Sequence, residues 1–384
     1  MTPNMPHPDT RHDLPRIRVG FIPLTDCAPV VMAAYKGYDR RHGIEIELVR
    51  APSWAAIRDG LLTGAMHATH ALYGLVYGLQ LGIGGPQRDL AVLMTLNRNG
   101  QAITLSRRLL ERGITDGQAL GELIRSDPRR YTFAQTFPTG THALWLYYWL
   151  ASHGVHPFRD INNITVPPPQ MVANLAVGNV DGYCVGEPWN ALAIDRGAGF
   201  TVTTSQAIWP DHPEKVLACA EGLATGHPDI ARALIMAVLE ACRDLDTPEG
   251  RAEAARILAG PAYVDVPVEI IAGRLQGDYE DGRGGHWQDP NPMRFHDDGQ
   301  VNLPWLSDGM WFLTQFRRWG LLSDHPDYLA VARRVNRTEL YREAAAALGV
   351  ALPVGDMRQS VLLDGRLWDG SEPAAYADGF AITA

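Results

Sequence analysis

IRVGFIPLTDCAPVVMAAYKGYDRRHGIEIELV, residues 17–49, decides the fold class. Ile17 to Ile22, Ile-Arg-Val-Gly-Phe-Ile, read as a strand. Asp26 stands where a helix cap belongs, and the stretch through Pro29 to about Gly37 reads as the helix it opens. Residues 44–49 alternate strictly between apolar and acidic or apolar partners, the period of a strand. Working outward, Ser53 opens another helix to about Gly64, and a short strand follows near 65–71. Strand, helix, strand, helix, strand predicts a parallel sheet with right-handed crossovers.

The rhythm restarts after residue 130. Residues 131–135 read as a strand, Thr141 to about His153 as a helix stopped by Gly154, and 164–166 as a strand. Pro167-Pro168-Pro169 leads into a helix from Gln170 to Val177. Residues 180–185 form another strand, and Glu187-Pro188 opens a helix to about Asp195. Two such units imply two lobes with a cleft between them. Beyond residue 222 the chain reads as helical over 228–246, 248–259 and 307–348. Residues 278–305, rich in Gly, Pro, Asp and Asn, read as a long surface loop. Residues 1–15 read as a loose polar tail, and the alternating piece from Ser360 to Gly365 has no assignment.

A chain of 384 residues suits two domains. With 46% hydrophobic and 20% charged residues it reads as globular, and a net charge of -9 argues against direct binding to nucleic acid. No stretch holds 18 uninterrupted apolar residues, so no membrane span is expected. The amino-terminal stretch shows no apolar run of export-signal length, and a cytoplasmic location is expected. Cys27, Cys184, Cys219 and Cys242 are far apart and read as small buried residues, with no metal spacing and no cofactor implied. Only Lys36 and Lys215 are lysines among 34 basic residues. An arginine-biased composition explains the scarcity but not why these two remain.

The strongest local signal is Thr136-Phe137-Pro138-Thr139-Gly140-Thr141-His142. A strand ends there, small residues turn, and a helix begins with free N–H groups that favour an anion. The same pattern also serves as an ordinary helix cap. Pro52-Ser53-Trp54 is a second strand-to-helix turn, where Trp54 offers a flat face or an indole N–H, or fills a core. Pro167-Pro168-Pro169-Gln170 and Val185-Gly186-Glu187-Pro188-Trp189-Asn190 read as rigid walls. His67 and His70 read as core or surface residues. GxSxG, HExxH and a GxxxxGKS phosphate loop are all missing, so an enzyme is not expected.

These stretches, with Phe21 to Pro29, Ser53 to Asp59, Pro167 to Asn174 and His212-Pro213-Glu214-Lys215, resemble the nitrate-binding (NrtA-like) family of ABC-transporter solute receptors over roughly residues 17–348. The resemblance implies an α/β, two-lobed periplasmic-binding-protein type II fold with a ligand cleft between the lobes. Lobe I would comprise 16–103 and 210–384, and lobe II 104–209. It implies nitrate or nitrite held by Trp54, Gln101, His142 and Lys215, with Gly140 at the helix start. Thr139, Thr141, Glu187 and Pro188 would support them. Thr139-Gly140 departs mildly from the family's Gly-Gly. Bicarbonate-binding relatives differ at the His and Lys positions, which this sequence keeps. Without an export signal, the resemblance points to the cytoplasmic sensor branch (NasS-type), which would hold a NasT-type antiterminator protein and release it on binding the anion. The alternative is the receptor of a nitrate ABC transporter. His142 beside an anion is expected to be partly protonated, with affinity falling above about pH 7.

Overall fold

The computed structural model describes residues 14–384. The tail read over 1–15 lies almost wholly outside the described residues. Two five-stranded sheets organise the rest. The first runs β2-β1-β3-β10-β4, with β1 Arg16–Phe21, β2 Glu45–Arg50, β3 Ala68–Leu72, β4 Leu90–Thr95 and β10 Lys215–Ala220. The second runs β7-β6-β8-β5-β9, with β5 Gln101–Ser106, β6 Thr132–Gln135, β7 Asn162–Thr165, β8 Gly182–Gly186 and β9 Gly199–Thr204.

Neither sheet is wholly parallel, which corrects the expectation. β1, β2 and β3 pair in parallel, but β10 lies antiparallel between β3 and β4. β5 likewise lies antiparallel between β8 and β9. Each antiparallel strand begins where the chain passes from one sheet to the other. Residues 96–100 carry it out to β5, and residues 205–214 carry it back to β10. The two passages pair with one another: Leu96 N donates to Lys215 O at 2.7 Å and Glu214 N to Asn97 O at 3.2 Å. Left-handed backbone at Asn99 (φ 61°) and Gly100 (φ 93°) makes the turn into β5.

The helices begin close to where the sequence put them. Ser53 accepts from Ala56 N and caps Trp54–Thr63, and left-handed Gly64 ends it. Thr141–Ser152 and Pro228–Leu245 are both long and strongly buried. The 278–305 stretch is not a surface loop. It forms a hairpin, Asp278–Glu280 with His286–Gln288, and buries Met293, Phe295, Val301 and Leu303. Ser360–Val361 pairs with Leu367–Trp368 in a second hairpin. Among the described residues, no helix is long and apolar enough to cross a membrane.

Candidate functional site

Strand ends of both sheets converge on one fully buried group of polar side chains. Lys215 is the first residue of β10 and Gln101 the first of β5, so both sit where the chain has just crossed between sheets. Trp54 and His142 occupy the first turns of the helices that follow β2 and β6. Ligands of open α/β sheets bind at such loop clusters.

Lys215 Nζ donates to Asp26 Oδ2 at 2.8 Å and also to Glu214 Oε1. It lies 5.6 Å from the Trp54 ring centre. Asp26 Oδ1 is bound to His70 Nε2 at 2.8 Å. The Trp54 ring centre stands 5.5 Å from that of His70 and 6.4 Å from that of His142. His142 Nδ1 is 2.6 Å from Thr136 Oγ1. Gln101 Nε2 donates to Thr141 Oγ1 at 3.2 Å, and Thr141 Oγ1 donates to Glu214 Oε1 at 3.1 Å. A Cβ built on Gly186 would lie 3.4 Å from Asp26 Oδ2 and 3.5 Å from His142 Nε2, so that glycine walls the same space.

Two donors in this space are unspent. Trp54 Nε1 and His142 Nε2 are buried and make no hydrogen bond among the described residues. Orphaned buried N–H groups are rare and costly, so two side by side with an ammonium mark a place built for an acceptor. The surface cavity lined by Thr203, Gln206, Trp287 and Asp289 lies elsewhere and has no such pair.

Charge is tightly compensated. Burial pushes the Asp26 carboxyl up, but Lys215 and His70 overcome it and hold it at about 2. Burial pushes Lys215 down, and Asp26 and Glu214 more than reverse it, keeping the ammonium charged. Burial holds Glu214 above the usual carboxylate range, against the pull of Lys215. Burial and then Lys215 push His142 well below its ordinary value, so the imidazole is neutral. Partial protonation of His142 beside an anion would require the anion to outweigh burial and Lys215. A neutral ring that accepts from Thr136 at Nδ1 presents Nε2–H as a plain donor.

The structure thus gathers Trp54, Gln101, His142 and Lys215 at one point, with Thr141 linking Gln101 to Glu214. The remaining expected residues do something else. Gly140 N–H is taken by Phe137 O at 2.9 Å, and a Cβ there would lie 2.6 Å from Leu72 Cδ1. Its smallness serves close packing against β3 and leaves no free donor. Thr139 packs against the Tyr73–Gln80 helix, where a Cβ on Gly74 would lie 2.1 Å from Thr139 O. Glu187 lies 3.4 Å from Arg274 Nε, and its carbonyl accepts from Thr25 N at 2.8 Å. Pro188 follows it through a cis bond, and Trp189 Nε1 then donates to Pro23 O at 2.9 Å. That loop ties the second sheet to the first.

Sequence reasoning missed Asp26, His70, Glu214 and Gly186. Asp26 was expected to cap a helix, yet no side chain caps Ala28–Tyr35. His70 carried one usable signal, a titratable residue inside the wholly buried strand Ala68–Leu72.

The NMT1-like family profile matches residues 11–259. The nitrate/nitrite binding protein NrtA of Synechococcus elongatus is 37% identical over 392 residues, covering 97% of this chain and 88% of that protein. The bicarbonate transport ATP-binding protein CmpC of Synechocystis is 37% identical over 381 residues, covering 97% of this chain but only 56% of that protein. The crystal structure of the periplasmic nitrate-binding protein NrtA from Synechocystis superposes with a TM-score of 0.92 at 34% identity, covering 96% of this chain and 99% of that one. With the fold, the two-sheet crossover and this extent of identity in agreement, the chain belongs to the NMT1-like family and, within it, to the NrtA-like solute receptors.

Proposed function

We propose that the chain is a solute receptor, not an enzyme, that binds nitrate or nitrite between its two sheets and serves a nitrate ABC transporter. One observation carries this: among the described residues, Trp54 Nε1 and His142 Nε2 are buried donors without acceptors, and the Lys215 ammonium lies 5.6 Å from the Trp54 ring centre. A small planar monoanion of weak basicity needs one cation, a few aimed donors and dry walls. Trp54, His142 and Lys215 supply the donors, and Gln101 carries a further amide at the same point. Four heavy atoms at the best ligand efficiency correspond to about -6 kcal/mol, a dissociation constant of some tens of micromolar.

Access to a fully buried site requires the lobes to part. The paired passages 96–100 and 205–214 are the natural hinge; they leave β5, Gln101–Ser106, with the second lobe, three residues before the 103/104 boundary expected from the sequence. The transport reading is favoured because the relatives described above are named for binding and transport. Release of a NasT-type antiterminator by a cytoplasmic sensor stands behind it, with no structural observation in its favour. Calorimetric titration with nitrate, nitrite, bicarbonate and an alkanesulfonate tests the ligand. Heat with nitrate or nitrite at one site per chain is expected, and silence with both overturns the reading.

A further inference from the structure

The buried cluster holds one more carboxylate than its cation can serve. Asp26 and Glu214 both lean on Lys215, and all three side chains are fully buried. The other titratable groups of the cluster are His212 from the returning passage, 3.8 Å from Glu214 Oε2, Cys184 from β8 facing Glu214, and His142 from the helix after β6 and His70 from β3 facing Asp26 and Lys215. Burial holds the three histidines neutral and the thiol protonated. The group therefore carries a net charge of zero or minus one, depending only on Glu214.

The two carboxylates are not equivalent. Asp26 has a donor on each oxygen, His70 on Oδ1 and Lys215 on Oδ2. Glu214 has both its donors, Lys215 and Thr141, on Oε1. Its Oε2 is buried without a hydrogen bond among the described residues. The nearest ring nitrogen, His212 Nδ1 at 3.8 Å, already donates to Pro213 O at 3.0 Å. An ionised Oε2 beside an incoming anion is a bare like charge in a dry site; a protonated Oε2–H is one donor more.

We propose that the receptor takes up its anion together with one proton, which settles on Glu214 Oε2, while Asp26 stays ionised as the permanent partner of Lys215. This rests on the anion-binding reading above and deepens it. The proton comes from solvent and forms the Glu214 Oε2–H bond; no other bond is made or broken. The consequence for selectivity is a site that accepts one negative charge and rejects dianions such as sulfate, because the Lys215 ammonium already serves Asp26 and Glu214.

Nitrate titrations of the full chain from about pH 6 to about pH 9 read this directly. On the alkaline limb the dissociation constant should rise about tenfold per pH unit, the slope of one linked proton. At the alkaline end, buffers of low and high ionisation heat should report about one proton absorbed per nitrate. Glu214→Gln should still bind nitrate, with a flat profile and no buffer dependence. A flat wild-type profile with no proton absorbed overturns the proposal, as does proton uptake that persists in Glu214→Gln. Should that variant fail to fold, the wild-type buffer comparison decides alone. Nitrate binding that is present but independent of pH sinks only the proton coupling, whereas no binding of nitrate or nitrite at any pH sinks the functional reading as well.

Discussion

Trp54 Nε1 and His142 Nε2 make no hydrogen bond among the described residues, and with Thr136 donating to His142 Nδ1 both nitrogens carry a hydrogen. Replacing Trp54 by Phe keeps most of the packing and deletes one donor. A hydrogen bond to a charged group contributes about 1.5–3 kcal/mol, so nitrate affinity should fall roughly ten- to a hundredfold with little change in melting temperature. Lys215 is different, because it neutralises buried Asp26. Lys215→Met should abolish binding and also destabilise the fold by about 3–5 kcal/mol in urea titrations, the cost of leaving a buried charge alone. His142 titrates well below its ordinary value in the folded protein. The unfolded chain therefore binds its proton first as pH falls through about 6.5, and folding stability drops there. Relative to His142→Gln, the wild type should lose up to about 1.4 kcal/mol per pH unit below that point, read from urea unfolding at neutral and mildly acid pH. The convergence of His142, Trp54, Gln101 and Lys215 was legible from the family motifs they resemble. Asp26, His70 and Glu214 were not, because their roles depend on contacts between the turn after β1, strand β3 and the passage entering β10, which are remote in sequence.

At the scale of elements, the sequence was most readable where helix and strand periods are clean. Ser53 and Gly64 bound their helix as local chemistry dictates. β4, β5 and β10 were harder. All but the last residue of β10 is buried, and β4 and β5 are buried throughout, so none shows the alternation that marks a half-exposed strand. The expectation of parallel sheets followed from that omission, and the antiparallel setting of β5 and β10 is what delivers Gln101 and Lys215 to the site. Residues 278–305 misled by composition: turn residues punctuate the stretch, yet its apolar side chains are core. Helix Tyr73–Gln80 offers a test of packing over propensity. Gly74→Ala would ordinarily strengthen a helix by up to about 1 kcal/mol. Here the added Cβ meets the Thr139 carbonyl at 2.1 Å. The variant should lower stability by about 1–3 kcal/mol in thermal or urea unfolding; a more stable variant would show that the contact relaxes freely.

For the whole molecule, the bonds that cross between the sheets are few and identifiable. Thr25 N to Glu187 O and Trp189 Nε1 to Pro23 O close the loops on either side of the buried cluster. If closure accompanies binding, saturating nitrate should slow amide exchange in peptides spanning 22–28 and 185–192, and leave the outer strand Asn162–Thr165 unchanged. Uniform exchange in all three would remove closure from the account. The central claim is that the anion takes the two orphaned donors. The most direct measurement is the ¹H–¹⁵N spectrum of the indole and imidazole N–H groups during a nitrate titration, with Trp54→Phe and His142→Gln to assign them. The Trp54 Nε1–H and His142 Nε2–H signals should both move and saturate with the calorimetric affinity. Nitrate binding that leaves both signals where they were would place the anion elsewhere and contradict the site described above.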